Sequence, residues 1–140
     1  MKVLIADNSI MVCKRLTAML TILEGVEIVG QVHTVSEAIG AIDNLKPEVV
    51  ILDIRMPGGN GYNVLQYIRK SASTTVVIML TNYAHVQYRS KYLSAGADYF
   101  FDKSLEFENV ADILAELEKR QQKVINNERK FTIEVAVSNP

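Results

Sequence analysis

Five short apolar runs, Lys2 to Ala6, Val26 to Val32, Val49 to Leu52, Val76 to Leu80 and Ala97 to Phe101, alternate with longer segments of helical spacing. That alternation predicts successive βα units. The first, third and fourth runs are apolar on consecutive residues, as parallel strands covered on both faces by helices must be. They are expected at the sheet centre.

Between the runs, Val12, Leu16, Leu20 and Leu23 share one face of a helix that Ser9 can cap and Gly25 can end. Thr34 and Glu37 read as a capping box for a second helix, with Ala38, Ile39 and Ile42 on its buried stripe and Pro47 beyond its end. Tyr62 to Lys70 predicts a third helix. Ala84 to Ala95 predicts a fourth, with a weak stripe of Val86, Tyr88, Tyr92 and Leu93. A fifth runs from about Leu105 to Gln122, carried by Phe107, Val110, Ile113, Leu114 and Leu117. Beyond it, Asn126 and Asn127 read as a break. Phe131, Ile133, Val135 and Val137 then alternate with Thr132, Glu134, Ala136 and Ser138, the period of a strand. The chain of 140 residues therefore divides into one domain over residues 1–122 and a C-terminal tail over 123–140, an extra strand or a linker.

Composition narrows the chemistry. A net charge of −1 supplies no general attraction for nucleic acid, and no run of Lys and Arg resembles a phosphate-binding arm. The lone Cys13 cannot close an internal disulfide, and His33 and His85 make no zinc spacing with it, which fits a reducing, cytoplasmic setting. The expectation is a chain without signal peptide or membrane span.

Ligands of an open parallel α/β sheet bind beyond the carboxyl ends of its strands. Asp7 follows the first run, Asp53 the third and Thr81 the fourth, while Lys103 follows Asp102 after the last. Two carboxylates on one edge repel, and a hard divalent cation such as Mg2+ is the usual means of holding them together. With that charge and an ammonium group present, an aspartate can attack phosphorus, while a threonine hydroxyl bonds a phosphoryl oxygen. Taken singly, each aspartate is equally well a helix cap and Lys103 a solvated loop charge. As a set they are not.

Four segments carry a family likeness: Val3 to Ser9 (VLIADNS), Leu52 to Gly61 (LDIRMPGGNG), Met79 to Asn82 (MLTN) and Ala95 to Lys103 (AGADYFFDK). In order and spacing they resemble the CheY-like receiver domain of two-component response regulators, over residues 1–122. The resemblance implies a flavodoxin-like, doubly wound, five-stranded parallel sheet in the order 2-1-3-4-5. It implies Asp53 as phosphoacceptor, Thr81 as switch hydroxyl, Lys103 as the phosphate-binding lysine and Phe100 as switch aromatic. Mg2+ would be held by Asp7, Asn8, Asp53 and the backbone carbonyl of Arg55. A histidine kinase or phosphotransfer protein would donate the phosphoryl group, and an output protein would read the result. The Met56 to Gly61 loop is its most specific part, because Pro and Gly let backbone approach metal and phosphate.

The chain departs from the family in two places. Receivers usually carry a second acid where Asn8 stands, and an amide oxygen lacks its charge, so weaker metal binding is expected. Ser104 stands where proline usually follows the lysine. A trans bond is therefore expected, with Ser104 capping the last helix. Arg55 and Tyr83 sit two residues past Asp53 and Thr81, where they either border the pocket and gate water or face solvent. Cys13 reads as a packed thiol.

A pseudo-receiver, working by protein contact without phosphate, is the alternative function, with Asn8 as its support. An aspartyl-phosphate hydrolase would need an acid two residues past the first, where Ser9 and Arg55 stand instead. The tail is too short for a folded DNA-binding unit. The expected roles of its Phe131 to Val137 strand are to extend a sheet edge or to join two copies in a homodimer.

Overall fold

The computed structural model describes residues 1–71 and 74–138, so the last two residues of the predicted tail, 139 and 140, lie outside the described residues. In chain order the elements are β1 (Lys2–Ala6), α1 (Ile10–Leu20), β2 (Glu27–Val32), α2 (Val35–Leu45), β3 (Val49–Leu52), β4 (Arg55–Met56), β5 (Gly59–Asn60), α3 (Gly61–Ser71), β6 (Val76–Thr81), α4 (Val86–Ser94), β7 (Tyr99–Asp102) and α5 (Asn109–Ser138). The main sheet has the order β2-β1-β3-β6-β7, every neighbouring pair parallel. Counting only its five strands, this is the expected 2-1-3-4-5. β4 and β5 form a separate two-residue antiparallel ladder inside the loop after Asp53.

The continuous apolar runs are explained by two cores, one on each sheet face. Leu4, Val50, Leu52, Val77 and Met79 point toward α2 and α3, against Ala38, Ile42, Val64, Leu65 and Ile68. Their sequence neighbours Val3, Ile5, Val49, Ile51, Ile78 and Leu80 point the other way, against Cys13, Leu16 and Leu20 of α1 and Val110 and Leu114 of α5. Successive strand side chains point to opposite faces, so a strand buried on both must be apolar throughout. Each fully buried aliphatic side chain contributes about 1.5–3 kcal/mol of transfer free energy.

Helix ends follow the capping chemistry in part. Ser9 accepts the Val12 N–H at 3.2 Å and caps α1. Thr34 caps α2 by accepting from Glu37, while the Glu37 carboxylate turns back to the His33 N–H rather than to that of Thr34. Gly25 does not end α1. The helix stops at Leu20, and Gly25, at φ +80°, makes the turn into β2 four residues past the Thr21 C-cap.

Two expectations at the C-terminal side are corrected. Ser104 does not cap the last helix, which begins at Asn109. Instead the Asp102 carboxylate accepts the N–H groups of Ser104 (2.7 Å) and Leu105 (3.3 Å) and closes a separate turn. The Phe131 to Val137 stretch is helix, not strand, so it adds to no sheet edge and joins no second copy as one. Its apolar alternation is overridden by what precedes it. No Gly or Pro interrupts residues 109–138, Glu, Lys, Arg, Gln and Leu dominate residues 116–123, and propagating a helix costs far less than starting one. A strand would need an edge partner for its backbone; the helix satisfies it internally.

Candidate functional site

The carboxyl ends of β1, β3, β6 and β7 bring the predicted residues together. Asp7 and Asp53, 3% and 7% exposed, flank the buried Lys103. The Lys103 ammonium lies 2.6 Å from Asp7 Oδ2 and 3.0 Å from Asp53 Oδ2, so one cation bridges both acids. Their other oxygens are also used: Asp7 Oδ1 accepts the Ser9 N–H at 2.8 Å, and Asp53 Oδ1 the Ile54 N–H at 2.7 Å. Thr81, fully buried, ends the adjacent strand. Its hydroxyl oxygen accepts the Tyr83 N–H at 3.0 Å, which leaves the hydroxyl proton free to be donated to an incoming group.

Of the rest of the predicted set, Asn8 and Arg55 lie within two residues of these acids in the chain, and Phe100 lies in the core. Asn8 is exposed beside Asp7. The exposed Arg55 stacks its guanidinium over the Tyr83 ring, 3.9 Å from the centroid, tying the loop after β3 to the loop after β6. The Lys103–Ser104 bond is trans. Phe100 is buried, tilted against Tyr92 at 6.2 Å, with the Arg89 guanidinium over its outer side at 5.1 Å. Arg89 continues to Glu106 at 3.2 Å, linking α4 to the turn before α5 across Phe100. Cys13 is fully buried, and that burial pushes its thiol up to about 11, the behaviour of a packed thiol rather than a nucleophile.

His33 lies outside the strand-end set predicted above, yet its Nδ1 is 2.8 Å from the Asp7 carbonyl oxygen. The signal was available: it immediately follows the second apolar run, as Asp7 follows the first.

The cluster carries two carboxylates and one ammonium group. Burial pushes the Asp7 pKa upward and the nearby Asp53 charge adds to that, against the hydrogen bonds from Lys103 and the Ser9 N–H. Burial alone would lower the Lys103 pKa, but the Asp7 hydrogen bond and the charges of both acids outweigh it and hold the lysine above its usual value. The donors available to a cation are all oxygens, two of them anionic, which suits Mg2+ rather than a softer metal. Among the described residues no group of three or more His, Cys, Asp or Glu forms a metal cluster.

Asp7 thus carries a cost at neutral pH. Because its folded pKa lies above the unfolded one, the penalty is absent at low pH and sets in as pH rises from the ordinary aspartate range through the raised value. In chelator at pH 7, Asp7→Asn is expected to raise stability by about 1 kcal/mol, a Tm gain of about 2–5 °C. The gain should shrink as the pH is lowered toward about 4. Thermal melts across that range check it, and a lower Tm for the variant at pH 7 would contradict the reading.

Comparison with known proteins fits this geometry. The response regulator receiver domain family matches residues 3–115. The uncharacterized transcriptional regulatory protein YvfU of Bacillus subtilis is 31% identical over 134 residues, 96% of this chain and 64% of that protein. Response regulator GacA of Pseudomonas aeruginosa is 27% identical over 83% of this chain and 54% of its own length. The chain therefore spans about half to two thirds of the length of these relatives. Among solved structures, the response regulator domain of Thermotoga maritima CheB superposes with a TM-score of 0.74 at 31% identity, covering 86% of this chain and 94% of that one. The CheX-CheY-BeF3-Mg2+ complex of Borrelia burgdorferi gives 0.76 at 30%, covering 83% and 87%. Receiver domains bind Mg2+ in general and act as signalling phosphoacceptors rather than as classical enzymes. Among the described residues no helix is long and apolar enough to cross a membrane. With the expected sheet order, buried acids at the strand ends and a lysine bridging them, the chain belongs to the receiver domains of two-component response regulators.

Proposed function

We propose that Asp53 is the residue that takes the phosphoryl group, in a receiver unit over residues 1–122 that α5 extends beyond. The observation that carries this is the Lys103 ammonium, within 3.0 Å of both buried acids at the strand ends. One Asp53 carboxylate oxygen attacks phosphorus as the bond from phosphorus to the donor's histidine nitrogen breaks, and that nitrogen keeps the electron pair. Lys103 can follow the charge from the carboxylate to the phosphoryl oxygens, and the Thr81 hydroxyl donates to one of them. Asp7, Asp53, the Asn8 side-chain oxygen and the Arg55 carbonyl would hold Mg2+, whose charge offsets that of the acids and the phosphoryl group. Burying a group of charge about −1.5 to −2 favours the arrangement in which Thr81 and Lys103 both reach it. Phe100 and the Arg89–Glu106 pair lie on the path from Thr81 to the α4–β7–α5 face.

The exposed apolar side chains near the strand ends support a protein partner. Ile10, Met11 and Leu105 are large apolar side chains exposed around the site, a surface suited to a histidine kinase or phosphotransfer helix. The output protein reads the α4–β7–α5 face, in the cytoplasm. Incubation with Mg2+ and a small acyl phosphate should add one phosphoryl group by intact mass, and Asp53→Asn should abolish it. Thr81→Ala should leave the acceptor competent but slow. Absence of the adduct at high Mg2+ would point instead to an interaction module acting without phosphate.

A further inference from the structure

We propose that His33, the residue just past the end of the edge strand β2, is a positioning residue for the metal-binding loop that follows β1; the inference rests on the Mg2+ reading above. The β1–β2 ladder reaches its last backbone bond where the Asp7 N–H donates to the Val32 carbonyl at 3.0 Å. At that point β2 gives way to the Thr34 cap of α2, so the chain offers the Asp7 carbonyl no further ladder donor. The His33 imidazole takes that place. A carbonyl oxygen can only accept, so the 2.8 Å contact requires the proton on Nδ1. The Cys13 thiol adds a weaker bond to the same oxygen at 3.6 Å.

This carbonyl belongs to the peptide joining Asp7 to Asn8. A planar peptide held at its oxygen has the opposite N–H, and the departure of the next Cα, fixed with it. His33 therefore sets how Asn8 leaves the strand end, at the position where the chain has an amide instead of a second acid. With less charge attraction to draw the ligand in, the site depends more on having that oxygen correctly placed. The backbone that carries the imidazole is itself held in place. The His33 N–H is bonded to the Glu37 carboxylate at 3.0 Å, and the ring is half-buried between Asp7 and Cys13.

Asn and Gln separate the role of the Nδ1 donor from that of a polar side chain in general. The amide nitrogen of Asn stands where Nδ1 does, and that of Gln where Nε2 does. Calorimetric titration of Mg2+ should give His33→Asn an affinity within about twofold of wild type and His33→Gln one about tenfold weaker. Both variants should melt alike in chelator. Equal Mg2+ affinity for His33→Gln and wild type, or equal weakening of both variants, overturns the inference while leaving the metal reading standing. A wild-type chain that takes up no Mg2+ overturns both.

Discussion

Lys103→Met is expected to destabilise the metal-free protein by about 3–5 kcal/mol, because it leaves two buried carboxylates facing each other without a counter-charge. Methionine keeps most of the lysine's length and volume, so packing is a minor part of the loss. The loss should depend on pH in a defined direction. Without the ammonium group the Asp7 carboxyl, already pushed up by burial, rises further, so protonating it relieves the repulsion and the variant should recover stability as pH falls. The wild-type lysine acts at the other end of the scale. Its folded pKa is raised, so its contribution is complete below the ordinary lysine value and disappears as pH rises through the raised one. The variant should lack that alkaline loss. Urea titrations in chelator at about pH 5 and pH 8 give both comparisons, and added Mg2+ should return part of the missing stability at the higher pH. A variant as stable as wild type at pH 8 would mean that the bridging ion pair carries no net weight.

Gly61→Ala should be comparably damaging for a different reason. A Cβ at Gly61 would stand 2.2 Å from the Asp53 carbonyl oxygen, 3.1 Å from its carbonyl carbon and 3.2 Å from Ile54 Cα. All three are backbone atoms of the segment that carries the proposed acceptor. They cannot swing aside as a side-chain tip can, so the loop must move, at a cost of about 3 kcal/mol. The Gly61 N–H also donates to the Ile54 carbonyl at 2.6 Å, so that closing bond of the loop would be stretched as well. Phosphoryl uptake should fall with stability. Gly40→Ala is the matched control: nothing lies within 4 Å of a Cβ there, the site is inside α2, and a gain of about 0.5–1 kcal/mol is expected. Denaturant titration of the pair distinguishes this close approach from a general sensitivity to Gly replacement.

Most of what positions the site was legible in the sequence because it is written in local patterns. Strands buried on both faces are short and apolar throughout, so their ends are sharp, and the residue after each end is unambiguous. That rule found Asp7 and Asp53, set Thr81 at the end of its strand and Lys103 just past the last one, and would have found His33 if applied to the second run. What was not legible depends on competition between segments. Asp102 took the turn that Ser104 was expected to cap, because a carboxylate two residues upstream accepts two backbone N–H groups at once. The Phe131 to Val137 alternation was a true period-two pattern, but a helix already running from Asn109 was the cheaper continuation. The stack of Arg55 on Tyr83 joins residues 28 positions apart and has no sequence signature at all.

The length of α5 gives small rotations a long reach. Thirty residues of helix span about 45 Å at about 1.5 Å per residue, and only the first part is packed on the sheet. Pivoting at Asn109 by about 5° would carry the far end about 4 Å. The same rotation moves the packed residue Val110 by about 0.1 Å and Leu114 by about 0.7 Å, a small fraction of the displacement at the far end. A sub-ångström shift at Leu114 would therefore arrive at Phe131 and Ile133 as a step of about 3 Å.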